Sequence, residues 1–305
     1  MKKRNYVVFS FDYDENVGGI IALHRLCDLL NKEGTAAYLW PYDKPCFDYK
    51  HSLKSIFKDI RYRIRRKRFQ FKTCPQFNTP IATHGNLKNA IVIYPEVVNG
   101  NPLRAERVIR WLLNKPGFFN NEINYSANDL FFYYNKAFDN KQINPFHYQL
   151  QTIYVRDDIY KNKHYMTRNG SCYLMRKGKS RDVVHDLTDS VCIDEMSHEE
   201  IAEIFNRCEY FISYDLYTMY SRYAVLCGCT SIVIPYENLS KEAWMPDKKL
   251  RHGIAYGFDD IDFAKKTSKY VLDDLKKEEK QANESVKAFV QISEKYFKDL
   301  EEGTP

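Results

Sequence analysis

Residues 209–235 read EYFISYDLYTMYSRYAVLCGCTSIVIP. An apolar run meets Ser213, Tyr214, Asp215, Tyr217 and Thr218, a helical stretch follows to Gly228, and a second apolar run begins. Asp215 as N-cap with Thr218 three residues further on would satisfy a helix start by capping alone. The remaining hydroxyls exceed what one helix end needs. Surplus hydrogen-bonding groups where a strand turns into a helix suit a sugar or a phosphate, because helix starts offer unpaired N–H groups and partial positive charge. Asp215 would repel phosphate, which leaves it sugar hydroxyls or capping.

Three more turns have the same character. Arg176-Lys177-Gly178 follows the apolar SCYLM, and two adjacent cations at a strand end either face an anion or stay solvated. Asp194-Glu195-Met196-Ser197 precedes a helix. Ser197 with Glu200 makes a capping box, and Glu195 or Asp194 is a candidate acceptor for ribose hydroxyls. Gly18-Gly19 follows the first apolar run, where glycine lets the backbone approach a ligand or simply makes a tight turn. Glu96, in YPE, ends a further strand and is a candidate general base on an acceptor hydroxyl, with Asp14 as a second candidate. No GxSxG, HExxH, P-loop or GxGxxG motif occurs, and no Cys–His spacing marks a nucleophile–base pair.

These turns need elements to hold them. With 305 residues, 44% of them hydrophobic, the chain can fill two cores of the usual ~100–200 residues each. NYVVFSF, TAAYLW, NAIVIYPEVV and DLFFYYNKAF read as strands, as do SCYLM, SVCID and the two runs around the 209–235 turn. A helix with Ile20, Leu23, Leu26, Cys27 and Leu30 on one stripe ends at Gly34. Asn101-Pro102 predicts another, carrying Val108, Ile109, Leu112 and Leu113 up to Pro116-Gly117. The tail from about Ala264 is helical, with Val286, Phe289, Val290, Phe297 and Leu300 forming an apolar stripe that must pack on something. Strands alternating with helices predict an α/β protein of two Rossmann-like domains, 1–165 and 166–305, parted in the polar stretch around 150–170.

Net charge is +6 and the isoelectric point about 8.7, modest for a nucleic-acid binder, and no nucleic-acid motif is present. The positive charge concentrates in RYRIRRKRFQFK, with Arg61, Arg63, Arg65, Arg66, Lys67 and Arg68. This is either a solvated helix face or a surface for anionic lipid or a diphosphate-bearing acceptor. The eight cysteines fall mostly in apolar segments without a CxxC pair, which predicts buried thiols rather than a metal site. The brief apolar run near the start lacks signal-peptide organisation, and no stretch approaches a membrane span. The expectation is a soluble, cytoplasmic protein, peripheral on the inner membrane face where its basic segment docks.

VGGIIALHRLCDLLN, IVIYPEVVNGNPLRAERVIRWLLNKPG, SCYLMRKGK and the 209–235 stretch, in this order, resemble bacterial GT-B-type glycosyltransferases of surface polysaccharide (capsule or lipopolysaccharide O-antigen) biosynthesis. The resemblance implies two Rossmann-like domains facing across a cleft, with a C-terminal helix crossing back to the first. It implies an acceptor in the first domain, an oligosaccharide or lipid-linked glycan, and a nucleotide-sugar donor in the second, with UDP-sugar as first guess. Gly18 and Gly19 would approach the donor phosphates and Arg176 and Lys177 would pair with them. Ser213, Tyr214, Asp215, Tyr217 and Thr218 would line the donor pocket. No cofactor or metal is expected: Asp12-Tyr13-Asp14 has DxD spacing, but it sits on the first strand's exit, unlike the metal motif of single-domain enzymes. The Glu-x7-Glu pair of retaining relatives is absent, since Glu237 and Glu242 are only five apart, and stereochemistry stays open. A non-catalytic partner subunit of a polysaccharide assembly and another nucleotide-sugar-modifying α/β enzyme are the alternatives.

Overall fold

The computed structural model describes residues 4–46, 52–68, 70–119 and 121–303, without the side chains of Ser52 and Arg68. The chain divides into two compact units, one holding residues up to Tyr154 and again from Glu279 onward, the other Val155–Glu278. The division lies inside the polar 150–170 stretch, ahead of residue 165, and the last part of the tail groups with the first unit.

The first unit contains β1 (Asn5–Ser10), α1 (Gly18–Lys32), β2 (Ala37–Pro41), α2 (Ser52–Arg68), β3 (Ala90–Pro95), β4 (Arg107–Leu112) and β5 (Leu130–Tyr133). The strands pair in the order β2-β1-β3-β4-β5, all parallel. Continuous apolar runs such as YVVF and AIVIY are what strands covered on both faces require. Tyr6, Val8, Ile91, Ile93 and Trp111 pack on one face with Leu23, Leu26 and Leu30 of α1. Val7, Trp40, Val92 and Tyr94 pack on the other.

The helix expected after Asn101-Pro102 is instead strand β4. Val108, Ile109, Trp111 and Leu112 are all buried, and so is Arg110 between them. Spacing of one and four fits a helix stripe as well as a strand whose two faces are both covered. Arg110 disguised the run. Its guanidinium is fully buried, pairs with Asp129 at 2.8 Å, donates to the carbonyls of Val98 and Gly100, and lies between the rings of Tyr94 and Tyr125.

The second unit contains β6 (Ser171–Leu174), β7 (Ser190–Cys192), α3 (His198–Arg207), β8 (Tyr210–Ser213), α4 (Tyr220–Leu226), β9 (Thr230–Val233), α5 (Lys241–Trp244), β10 (Ile254–Tyr256) and α6 (Ile261–Thr267). Its strands are also all parallel, in the order β10-β9-β8-β6-β7. Counted from its own first strand, this is the order of the first unit. Both sheets are thus doubly wound, with the winding reversing between β1 and β3 in one and between β6 and β8 in the other. Cys172, Leu174, Ile201, Phe205 and Phe211 fill the core beside the stacked rings of Tyr160 and Tyr223, 4.2 Å apart. Cys27, Cys74, Cys172, Cys208, Cys227 and Cys229 are buried as read from the sequence, whereas Cys46 is half-buried and Cys192 exposed.

The chain closes with α7 (Val271–Glu301). Its Val286, Phe289 and Phe297 enter the first unit's core, Val290 packs at the edge and Leu300 stays exposed. No helix among the described residues is long and apolar enough to cross a membrane.

Candidate functional site

In an open parallel sheet the crevice for a ligand opens beyond the carboxyl ends of the strands, where the winding reverses. In the second unit that place is defined by Arg176 and Lys177, leaving β6, and Ser213 to Thr218, leaving β8. The two exits touch: a β-carbon on Gly178 would sit 2.5 Å from the Tyr214 carbonyl oxygen, so only glycine permits this approach. Asp194, beyond β7, accepts the N–H groups of Met175 at 3.0 Å and Arg176 at 3.3 Å. Arg176 adopts φ +35°, a conformation that side-chain-bearing residues avoid, and these bonds help to hold it there. Its guanidinium donates to the Tyr220 hydroxyl at 3.3 Å and stands 4.8 Å from the centre of that ring. Tyr220 opens α4, and its hydroxyl lies 3.5 Å from Nε2 of buried His198, which opens α3. The Tyr160 hydroxyl meets Nδ1 of the same imidazole at 2.6 Å. An arginine, a tyrosine and a histidine from three strand exits therefore form one hydrogen-bonded line.

Several expected residues have structural tasks instead. Ser213 is fully buried and donates to the Asp215 carbonyl at 2.7 Å. Tyr214 is fully buried too, its hydroxyl accepting the Val184 N–H at 2.8 Å and meeting His185 Nδ1 at 2.7 Å. These hydroxyls tie the β8 exit down rather than lining its surface. Asp215 is not the helix N-cap. It is buried and closes a local turn onto the Tyr217 N–H at 3.1 Å, while α4 starts only at Tyr220, whose N–H reaches the Thr218 hydroxyl at 3.2 Å. Lys177, Glu195 and Tyr217 are exposed. Ser197 and Glu200 form the expected capping box at α3.

In the first unit, Glu96 leaves β3, and Gly18 and Gly19, expected in a turn after β1, are instead the first two residues of α1; β1 and β3 flank the reversal. Glu96 is buried, and its carboxylate accepts the Leu113 N–H at 3.0 Å beyond β4. Burial pushes its pKa up to about 7 against the lowering effect of the backbone N–H groups of Leu113 and Asn114. The Leu113 side chain in turn lies 3.8 Å from where a β-carbon on Gly19, in the first turn of α1, would be, so Gly19 and Glu96 share this neighbour. Gly18 has open space around it, and no side chain caps α1. Asp14 is exposed and folds back on the Asn16 N–H at 2.9 Å. Asp12 is engaged by the Arg66 guanidinium at 3.1 Å and the Lys72 N–H at 2.8 Å. Among the described residues no group of three or more His, Cys, Asp or Glu side chains is placed to hold a metal ion.

The basic segment forms α2, and its cations divide. Arg66 is turned inward, held by Asp12 and by Asp43 at 2.6 Å, and does not belong to the outer surface. Arg65 lies 3.4 Å from Asp43 but is half exposed, exposed Arg63 pairs with half-buried Asp59, and Arg61 and Lys67 are exposed. The Arg68 side chain lies outside the described residues. Sequence reading missed His198, Tyr160, Tyr220 and Arg181. Arg181 donates to the carbonyls of Tyr214, Ile234 and Pro235 and so pins the exits of β8 and β9. The signal for His198 and Tyr220 was their place at helix starts, His198 directly after the capping serine.

No family model and no curated protein matches the chain. Among solved structures it is similar to sucrose-phosphate synthase from Thermosynechococcus elongatus, at 8% identity and TM-score 0.43, covering 99% of this chain and 100% of that one. A glycosyltransferase from Rickettsia africae gives 10% identity and TM-score 0.45, over 98% and 100%. MurG from Acinetobacter baumannii gives 8% and 0.36, over 95% and 99%. Likenesses this distant assign neither residues nor activity. What the chain itself presents is two doubly wound α/β units, each with polar and charged side chains at the reversal point of its sheet.

Proposed function

We propose that this chain is a GT-B-type glycosyltransferase that moves a sugar from a nucleotide-sugar donor, UDP-linked as first choice, to a growing, lipid-linked bacterial surface polysaccharide. The observation that carries the reading is the coincidence, in each unit, of the sheet's reversal point with one half of the chemistry. At the β6/β8 reversal stand the Arg176 guanidinium and Lys177, an anion site for the diphosphate, with Glu195, Tyr217, Thr218 and Asp215 left for ribose and sugar hydroxyls. At the β1/β3 reversal stands Glu96, whose pKa near 7 suits a general base at neutral pH.

In the reaction the acceptor hydroxyl oxygen bonds to the anomeric carbon, and the bond from that carbon to the diphosphate oxygen breaks. The leaving diphosphate keeps the electron pair, stabilised by Arg176 and Lys177, and the hydroxyl proton passes to a general base. No metal is assigned a part, because the phosphate charge is met by side chains. The protein sits peripherally on an anionic membrane, where its acceptor is found.

Titration calorimetry with a panel of nucleoside diphosphates tests the donor half. Micromolar binding of one of them, lost in Arg176→Ala, is the expected result. Absence of binding by the whole panel would leave a partner subunit without a donor site as the better account.

A further inference from the structure

Helix α2 is built inside out. Ser55, Asp59, Tyr62 and Arg66, at steps of four, three and four, lie along one line of the helix, and these are its buried or half-buried positions. About half a turn round, at the same steps, run Leu53, Phe57, Ile60 and Ile64, which are 72%, 72%, 47% and 66% exposed. An ordinary surface helix does the reverse and turns its apolar stripe to the core. The inward polar line has its own partners: Arg66 is bound by Asp12 and Asp43, and Asp59 pairs with Arg63 on the helix. The outward apolar stripe is therefore not a misplaced core face.

Charge identifies what covers it. Lys54, Lys58, Arg61 and Arg65 run along one flank of the stripe, and Arg63 and Lys67 along the other. The first flank also borders a pocket of about 700 Å³ within the first unit, whose lining includes Arg104, Asp43 and Lys44, the last donating to the Ala82 carbonyl. An apolar stripe between two cationic rows matches acyl chains beneath a layer of phosphates.

We infer that α2 lies in the interface of an anionic bilayer, with Leu53, Phe57, Ile60 and Ile64 among the acyl chains and the flanking cations and adjoining pocket on lipid phosphate groups. The inference rests on the peripheral-membrane part of the proposed function and adds apolar insertion to it.

Trp40, Trp111 and Trp244 are all buried, so Phe57→Trp introduces an exposed reporter on the stripe. Its fluorescence is followed as vesicles of phosphatidylcholine, with or without phosphatidylglycerol, are added to the full chain. With phosphatidylglycerol present, the emission should shift to the blue and be quenched by brominated acyl chains, and Phe57→Ser with Ile60→Ser should weaken binding tenfold or more. Soluble inorganic phosphate, tested without vesicles, should leave the emission at its lipid-free wavelength, and a blue shift with phosphate alone would overturn lipid as the occupant. Vesicle binding without a blue shift would overturn insertion while leaving the electrostatic reading intact, and no vesicle binding would overturn both. A blue shift without lipid, accompanied by dimers in sedimentation, would assign the stripe to a second copy of the chain and overturn the inference. Nucleoside diphosphate affinity, measured without lipid, reports separately on the donor half of the proposed function.

Discussion

The Asp194 carboxylate and the backbone N–H of Arg176 meet at 3.3 Å, and this bond belongs to the set that holds a non-glycine residue at φ +35°. An aspartate beyond one strand thereby fixes the direction of an arginine at the end of the next. Arg176→Ala removes a charge-assisted contact worth about 1.5–3 kcal/mol and should weaken nucleoside diphosphate binding tenfold or more in calorimetry. Asp194→Ala should weaken binding as well, although the proposed function gives Asp194 no direct contact with the donor. Asp194→Asn keeps an acceptor oxygen and should lie between the parent and Asp194→Ala. Parental affinity in all three variants would detach this turn from the donor.

Glu96 gives a pH dependence with a definite sign. Its folded-state pKa stands at about 7, above the ordinary 4.5, so the folded protein holds the proton more tightly than the unfolded chain. The stabilisation is fully present below about pH 4.5 and is lost as pH rises through about 7. Glu96→Gln cannot ionise and still accepts the Leu113 N–H. Its melting temperature should therefore decline less than the parent's between pH 5 and pH 8. If Glu96 is the base, the same folded variant should transfer sugar about a hundredfold more slowly, a loss of ~2.7 kcal/mol. Parallel melting profiles for parent and variant would place the ionisation elsewhere.

The cations of α2 should separate in a stability measurement. Arg66→Ala leaves Asp12 and Asp43 without their shared guanidinium and should cost about 3 kcal/mol, the lower end for a broken buried pair because Asp12 keeps some access to water. Arg61→Ala and Lys67→Ala should change the unfolding free energy by no more than about 0.5 kcal/mol. Comparable losses in all three would contradict the inward placement of Arg66.

Much of the framework was legible because parallel strands covered on both faces leave unbroken apolar runs. SCYLM, EYFIS and TSIVIP could be placed without knowing their neighbours. The turns could be placed for the same reason, since each must follow a strand. Roles within a turn were not legible. Ser213 and Tyr214 read as surface hydroxyls, yet a strand that ends against Gly178 carries its last side chains inward. Arg110 misled in the same way, because a single interior cation makes a buried strand look like a helix with a polar face. The line from Arg176 through Tyr220 to His198 depends on three strand exits meeting, which spacing along one segment cannot reveal.

The turn after β8 supplies the last prediction, and the geometry separates its two residues. The Asp215 carboxylate closes its turn through one acceptor bond to the Tyr217 N–H, which asparagine makes equally well. Asp215→Asn should therefore melt within a degree or two of the parent. If the carboxylate also accepts from a donor sugar hydroxyl, losing its charge and one acceptor site should slow turnover about a hundredfold. Thr218→Val differs, because the Thr218 hydroxyl receives the Tyr220 N–H at the start of α4. Its loss should cost about 1 kcal/mol of stability, as removal of a helix-capping group does. Tyr220 also receives Arg176, so a loosened α4 start should weaken diphosphate binding along with stability. Asp215 thus predicts slow turnover at native stability, and Thr218 predicts lowered stability with weaker binding. Full transfer rates in a stable Asp215→Asn protein would reduce that residue to a turn former.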